Sequence, residues 1–274
     1  MKRTYINQVQ AAQELGVTQS MVAQLLKARL IIGARKVGGR WQIPTPVKRR
    51  AANDGPKSKQ AQQREEFLAN LPQLAERYAL HCCPVSELNK HVAPDSVDCI
   101  ITDPPYGHDA IPLYEDLGKM AKVVLKPGGS LVVMVGQSYL PELLGVLSEH
   151  LMYQWMSAYL TPGGQAVQLW DRKVNTFWKP ILWYIKGEYH GKWIGDVAKS
   201  DVNDNDKRFH QWGQSESGIA DIVSRFSIEG DTVVDPFLGG GTTAVVAVAL
   251  GRKFIGADKD PDSIWITGKR LRDG

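Results

Sequence analysis

Cysteine is scarce. Three stand in 274 residues, Cys82, Cys83 and Cys99, two of them adjacent and none near a histidine at the spacing of a zinc finger. That argues against a disulfide framework and a thiolate metal site, and leads to the expectation of a reduced, cytoplasmic compartment. Long apolar runs are also missing; none approaches the ~20 residues that a membrane helix needs. The opening residues pass into polar sequence without the apolar core of a secretion signal. Neither charge dominates: 33 Lys and Arg stand against 29 Asp and Glu, a net +4, which permits a nucleic-acid partner without requiring one. His108, His150 and His190 show no metal-ligand pattern, so no metal is expected. What the chain does have is apolar content, 43%, enough for one sizeable core and a small appendage.

The appendage comes first. Val9, Ala12 and Leu15 recur at helical spacing up to Gly16, and Thr18 can cap a second helix running to about Arg29 with Val22, Leu25 and Leu26 on its apolar face. Two short helices around a glycine turn make a helix-turn-helix pattern. Residues 31–37 and 40–44 then flank Gly38-Gly39, a two-residue hairpin signal, with Arg35, Lys36 and Arg40 around Trp41. This order resembles the small winged helix-turn-helix domains of the excisionase and MerR type. The resemblance implies a second helix in the major groove and a hairpin on phosphates, so Gln19, Ser20, Gln24 and Lys27 would face bases while Arg35 and Arg40 face the backbone. A helical cap serving protein contacts is the bland alternative. The divisions expected are 1–46 for this domain, 47–66 for a basic linker and 67–274 for a main domain, entered through a helix bearing Phe67, Leu68, Leu71, Leu74 and Tyr78.

In the main domain strand and helix patterns alternate: strands at 78–83, 97–102, 130–136, 180–185, 231–234 and 253–257, helices at 86–91, 113–125, 140–151 and 242–250. Lys126-Pro127-Gly128-Gly129 would close the second helix. Such alternation implies a mostly parallel, doubly wound α/β sheet with helices on both faces. Two strand ends carry chemistry. After 97–102 comes Asp103-Pro104-Pro105-Tyr106, where two prolines fix the backbone and remove two N–H donors, leaving a carboxylate and an aromatic ring around a stiff turn: a packed corner, or a pocket for a planar amine. After 231–234 comes Asp235-Pro236-Phe237-Leu238-Gly239-Gly240-Gly241-Thr242-Thr243, a glycine-rich turn into a helix, where a ligand can approach the backbone. No lysine follows Gly241 as a phosphate loop requires. Asp258 ends the next strand, where an acid can hold the two hydroxyls of a ribose.

Together these motifs resemble the S-adenosylmethionine-dependent DNA amino-methyltransferases, in the permuted group whose catalytic motif precedes its cofactor motif. Asp103-Pro104-Pro105-Tyr106 matches the catalytic tetrapeptide in its adenine form, Phe237 to Thr243 the cofactor loop, and Phe254-Ile255-Gly256-Ala257-Asp258 the ribose-binding strand end; the likeness runs from about Tyr78 to Arg272. It implies a Rossmann-like class I methyltransferase fold in a restriction-modification setting. It also implies catalytic roles for Asp103, Pro104, Pro105 and Tyr106, and cofactor contacts from Cys83, Asp103, Gln214, Asp235, Pro236, Phe237, Gly239, Gly241, Thr242, Thr243 and Asp258. Three places depart from the pattern, one of them a short, unfamiliar target-selecting segment. Cys82-Cys83 stands where a Gly-Asp pair usually contacts the cofactor's adenine, and in His210-Gln211-Trp212-Gly213-Gln214-Ser215 only Gln214 matches.

The activity implied is adenine-N6 methylation of double-stranded DNA by base flipping. Cytosine-N4 methylation, or a DNA-binding regulator with a degenerate methyltransferase domain, remain as alternatives. Target selection would fall within 161–212, and the protein could be a monomer or a homodimer. Of the aromatic residues between 152 and 212, most are expected in the core and one or two, unspecified, on DNA; Trp170 and Trp193 read as exposed loops able to contact DNA.

Overall fold

The structure is a computed structural model and describes residues 5–27, 31–48, 77–160, 167–200 and 215–273. The chain forms two compact units, Met1–Glu66 and Phe67–Gly274. The expected linker from 49 onward, the lead-in helix, the end of the second helix beyond Lys27, and the segment from His210 to Gln214 lie outside the described residues.

In the first unit β1 (Tyr5–Ile6), α1 (Gln8–Leu15), α2 (Gln19–Lys27), β2 (Arg35–Val37) and β3 (Arg40–Pro44) surround a small core of Ala11, Ala12, Val22, Leu25, Leu26, Ile31 and Ile43. The local causes are the ones in the sequence. Asn7 and Gln10 form a reciprocal capping box at the start of α1, and Gly16 ends it at φ 65°, a left-handed conformation that costs glycine little. The Thr18 hydroxyl accepts the Met21 N–H at 3.3 Å and opens α2. Gly38 and Gly39, both at positive φ, turn β2 into antiparallel β3, which pairs on its other edge with β1.

In the second unit the elements are β4 (Tyr78–His81), β5 (Val97–Thr102), α3 (Ile111–Val124), β6 (Leu125–Met134), α4 (Leu140–Ser148), β7 (Met152–Leu160), β8 (Val167–Leu169), β9 (Val174–Thr176), β10 (Lys179–Ile185), β11 (Val197–Lys199), α5 (Glu216–Phe226), β12 (Thr232–Asp235), α6 (Thr242–Ala249), β13 (Lys253–Ala257) and α7 (Pro261–Asp273). Eight strands form one sheet in the order β11-β7-β10-β6-β5-β12-β13-β4, in which β10 alone runs against its neighbours, while β8 and β9 form a separate hairpin. This is the mostly parallel, doubly wound α/β sheet that the sequence leads one to expect. Apolar residues cover both faces of the sheet. Leu182 and Tyr184 of β10 pack with Tyr114 and Leu117 of α3 and Leu143 and Leu147 of α4. Ile181, Trp183 and Ile185 pack with α5, α6 and Ile264 of α7. The alternation along one strand therefore supplies two cores.

Several boundaries differ from the sequence expectation. β4 stops at His81, so Cys82 and Cys83 lie in the turn beyond it, and the short helix at Val85–Lys90 is a 3-10 helix. The run Lys126 to Gly129 does not close α3 as a loop. It belongs to β6, in an irregularity of the β5 pairing between Val97 and Cys99, where Lys126 Nζ also reaches Asp98 at 2.5 Å. α4 ends at Ser148 rather than 151. The aromatics are the larger correction: Trp183 and Tyr184 are buried, and Trp170 and Trp193 are exposed as the sequence suggests, but Trp155, Phe177 and Trp178 are exposed as well. Trp155 sits on the strand β7, Trp170 in the β8–β9 hairpin, Phe177 and Trp178 between β9 and β10, and Trp193 between β10 and β11. Among the described residues no helix is long and apolar enough to cross a membrane.

Candidate active site

Parallel pairing sets β4, β13, β12 and β5 side by side with their carboxyl ends together: Ala257 lies opposite His81, and Asp235 opposite Gly256. Both chemical motifs emerge at that edge, which is where an open α/β sheet offers a crevice. Chain order is immaterial, because the sheet position of each strand places its loop.

The catalytic loop leaves β5 at Asp103. Pro104 is buried and fixes the turn, while Pro105 is exposed and its carbonyl accepts the Tyr114 hydroxyl of α3 at 3.3 Å. Tyr106 turns back so that its hydroxyl donates to Asp103 Oδ1 while the ring stays half exposed. Enclosure of the hydroxyl and the facing carboxylate push the Tyr106 pKa upward, so the phenol stays a donor. On the other side Lys179 Nζ, at the start of β10, lies 3.2 Å from Asp103 Oδ2 and 5.2 Å from the centroid of the Tyr106 ring. A cavity of about 380 Å³ opens beside this group, walled by Tyr106, Tyr114, Tyr139, Leu143, Trp178 and Lys179. Its size and mostly apolar walls, four of them aromatic, suit a planar ring.

The glycine-rich loop is built from backbone instead. Gly239 at φ 47° and Gly241 at φ 75° take left-handed conformations. A Cβ at Gly241 would meet Thr267 Oγ1 of α7 at 2.4 Å, so both space and conformation require glycine there. Gly241 caps α6, whose first-turn N–H groups have no helical partner. Arg270 of α7 braces the loop from behind through the Gly240 carbonyl and reaches Glu216 Oε1 at 2.6 Å. Phe237 is half-buried, and Pro236, Thr242 and Thr243 are buried.

Asp258 and Asp235 hold this loop in place. The Gly239 N–H donates to Asp258 Oδ2 at 3.0 Å, the Asp260 N–H donates to Oδ1 at 2.9 Å, and the Asp258 N–H reaches the His81 carbonyl at 3.2 Å. Asp235 is buried and accepts both the Thr102 hydroxyl at 2.7 Å and the Phe237 N–H at 3.0 Å. Burial raises its pKa to about 6 against the hydrogen bonds that favour the anion. Asp235 thus joins the end of β12 to the end of β5. Cys83 is buried just beyond β4, its thiol pushed up to about 11 mainly by desolvation, beside a stacked pair of rings, His81 and His91, 4.6 Å apart. Gln214 lies outside the described residues.

Three contributors were not expected from the sequence: Lys179, Thr102 and Arg270. Only Lys179 had a visible signal, as a charge heading a buried strand. His150, expected to have no metal pattern, packs with Glu115 and Glu149, their ligand atoms within 4.8 Å; Lys119 already pairs with Glu115 at 3.0 Å. In the first unit Gln19, Ser20, Gln24, Lys27, Arg35 and Arg40 are all exposed. Arg35 donates to Gln42 at 3.1 Å and lies over the Tyr5 ring at 4.6 Å.

Residues 189–267 match a family model described as DNA methylase, of the N6/N4 methyltransferase type. The type II methyltransferase M2.LlaDCHI of Lactococcus lactis subsp. cremoris is 27% identical over 234 residues, covering 69% of this chain and 87% of that protein. M2.DpnII of Streptococcus pneumoniae is 28% identical over 229 residues, covering 65% and 83%. The findings support an S-adenosylmethionine-dependent DNA methyltransferase. Solved structures agree on the fold. The complex of M1.HpyAVI with S-adenosylmethionine aligns at a TM-score of 0.58 and 20% identity over 71% of this chain and 98% of its own. The cytosine-N4-specific PvuII DNA methyltransferase aligns at 0.61 and 18% over 71% and 86%.

Proposed function

We propose that the chain methylates the exocyclic amine of a flipped DNA base, with adenine N6 as the acceptor. The observation that carries this reading is the cup at the end of β5: a carboxylate, Asp103, and an aromatic ring, Tyr106, beside a cavity of about 380 Å³, on the same sheet edge as the glycine-rich loop. The loop suits the cofactor in kind, with left-handed glycines, an open helix start and a carboxylate at the next strand end. S-adenosylmethionine, when bound, supplies an electrophilic methyl group on a sulfonium. Gly239, Gly241, Phe237, Thr242 and Asp258 would hold it, and Asp258, although it accepts two N–H groups, keeps lone pairs for ribose hydroxyls.

A base inside a duplex cannot reach this cup and must leave the stack. Tyr106 would stack on the ring, while Asp103 and the Pro104 carbonyl would accept the two amine hydrogens and turn the nitrogen lone pair toward the methyl. Positioning outweighs base catalysis here. A carboxylate is far too weak a base to deprotonate a neutral amine, but the charge of Asp103 stabilises the cation developing on nitrogen. The amine proton departs after transfer.

Cytosine-N4 transfer is the second reading, favoured by the likeness to the cytosine-N4-specific PvuII enzyme. Incubation of unmethylated DNA with protein and labelled cofactor, followed by nucleoside analysis and mapping, separates the two: N6-methyladenine is expected, N4-methylcytosine overturns the adenine assignment, and no modified base overturns the enzyme. For the first unit we propose that α2 reads bases through Gln19, Ser20, Gln24 and Lys27 while Arg35 and Arg40 contact phosphates. Replacing Arg35 and Arg40 together by Ala should flatten the log–log salt dependence of DNA binding by about 2, one unit per lost phosphate contact. An unchanged slope excludes those contacts.

A further inference from the structure

Both oxygens of Asp103 are engaged, and one partner is a cation. Oδ1 accepts the Tyr106 hydroxyl, while Oδ2 faces the Lys179 ammonium at 3.2 Å. The same ammonium lies 5.2 Å from the centroid of the Tyr106 ring, within the range of a cation–π contact. An N–H donor held on the carboxylate and over the aromatic face makes the two contacts that the amine of a stacked base would make. Lys179 also borders the cavity that would admit the ring, next to Trp178, and its side chain is only a quarter exposed.

We propose that Lys179 is a positioning residue that stands in for the target amine: it keeps Asp103 and Tyr106 set for a base when none is present, and it must withdraw before one can enter. The inference rests on the reading of Asp103 as an amine acceptor. An ammonium is a stronger donor to a carboxylate than a neutral amine, so amine alone does not displace it. The stacking of the whole ring must supply the difference, which favours a base delivered by a bound duplex over a loose nucleoside. After transfer the balance shifts back. The methylated amine has lost one of its two hydrogens, so it can satisfy only one of the two acceptors, and the returning ammonium helps to expel it.

The test uses the full chain and duplex DNA carrying the mapped target adenine, with 2-aminopurine as its 3′ neighbour, whose fluorescence rises when the adenine leaves the stack. With no cofactor present, Lys179→Met should give more fluorescence than wild type at saturating protein. It should also lower KM for this DNA by about 3–10-fold, the upper value corresponding to 1.4 kcal/mol, and enlarge the burst over the steady-state rate because product leaves more slowly. Lys179→Arg should behave like wild type. Lys179→Gln repeats the measurement should the Met variant not fold, with cofactor titration confirming an intact loop. Unchanged fluorescence and KM in a folded Met or Gln variant overturn the placeholder, as does a loss of kcat alone. If wild type modifies no base in any DNA, the methyltransferase reading fails and the placeholder with it. If wild type modifies its target and the variants show no shift, the placeholder alone fails.

Discussion

The two loops at the sheet edge solve opposite problems. The loop after β5 works through side chains: Asp103, Tyr106 and Lys179 are tied to one another, and only prolines shape the backbone beneath them. The loop after β12 works through its backbone: its glycines are defined by conformation and by closeness to Thr267, and its nearest acids each accept an N–H of the loop itself. Side-chain chemistry placed on one stiff turn can be removed residue by residue with the frame intact. A backbone cradle has no such separable parts, so any added Cβ disturbs the whole. Catalysis and cofactor binding should therefore come apart under mutation on the first loop and fall together on the second.

Asp103→Ala tests this most severely. Methyl transfer should fall by ~10²–10³-fold, the usual cost of a lost charge-stabilising group, while calorimetric titration with S-adenosylmethionine gives an affinity near wild type. Equal loss of both would merge the two loops into one function. The tie between the loops comes next. Asp235 has a folded pKa near 6 and an ordinary unfolded value of 3.8, so the folded state binds the proton more tightly. Stability should be full below the unfolded value and decline as pH rises through about 6, by up to ~3 kcal/mol from this group. Asp235→Asn, which keeps an acceptor for Thr102 and Phe237, should remove that slope; denaturant melts of both proteins at pH 5 and 7.5 would show it, and parallel profiles would rule it out.

Gly241→Ala probes the cradle. A strained φ and a contact at 2.4 Å should cost ~1–3 kcal/mol of stability, with cofactor affinity and activity falling in step. Normal cofactor binding with low activity would contradict the comparison. A smaller loss of turnover than in Asp103→Ala is expected for Tyr106→Phe, which keeps the ring and removes only the hydrogen bond to Asp103. A loss of kcat of roughly ten- to a hundredfold follows from a bond to a charged group worth ~1.5–3 kcal/mol, against a larger loss in Tyr106→Ala, where stacking disappears as well. Steady-state kinetics on both variants separate the ring from the hydroxyl.

Much of this site could be read before folding because it is local. Two prolines and three glycines constrain the backbone wherever they stand, and an apolar run such as 97–102 is a strand in most contexts that bury it. Three aromatics between 152 and 193 were misassigned for the opposite reason. Size and hydrophobicity favour burial, but Trp155, Phe177 and Trp178 lie on elements at the sheet margin, where too little structure covers them. The extent of β6 was likewise hidden, since Lys126-Pro127-Gly128-Gly129 has the composition of a loop and pairs as a strand only because β5 lies alongside.

By itself, then, the sequence determined the stiff carboxylate-bearing turn, the glycine cradle, the alternation that demands a covered parallel sheet, and the capped helices and hairpin of the first unit. Each depends on backbone torsions or on a period that neighbouring residues set. Only the tertiary structure decided that Asp235 is a joint to Thr102, that Arg270 braces Gly240, and that Lys179 stands on Asp103 from 76 residues away. Those contacts follow from the order of strands in the sheet, which brings β10 and β12 to the catalytic turn although nothing in their own residues names it.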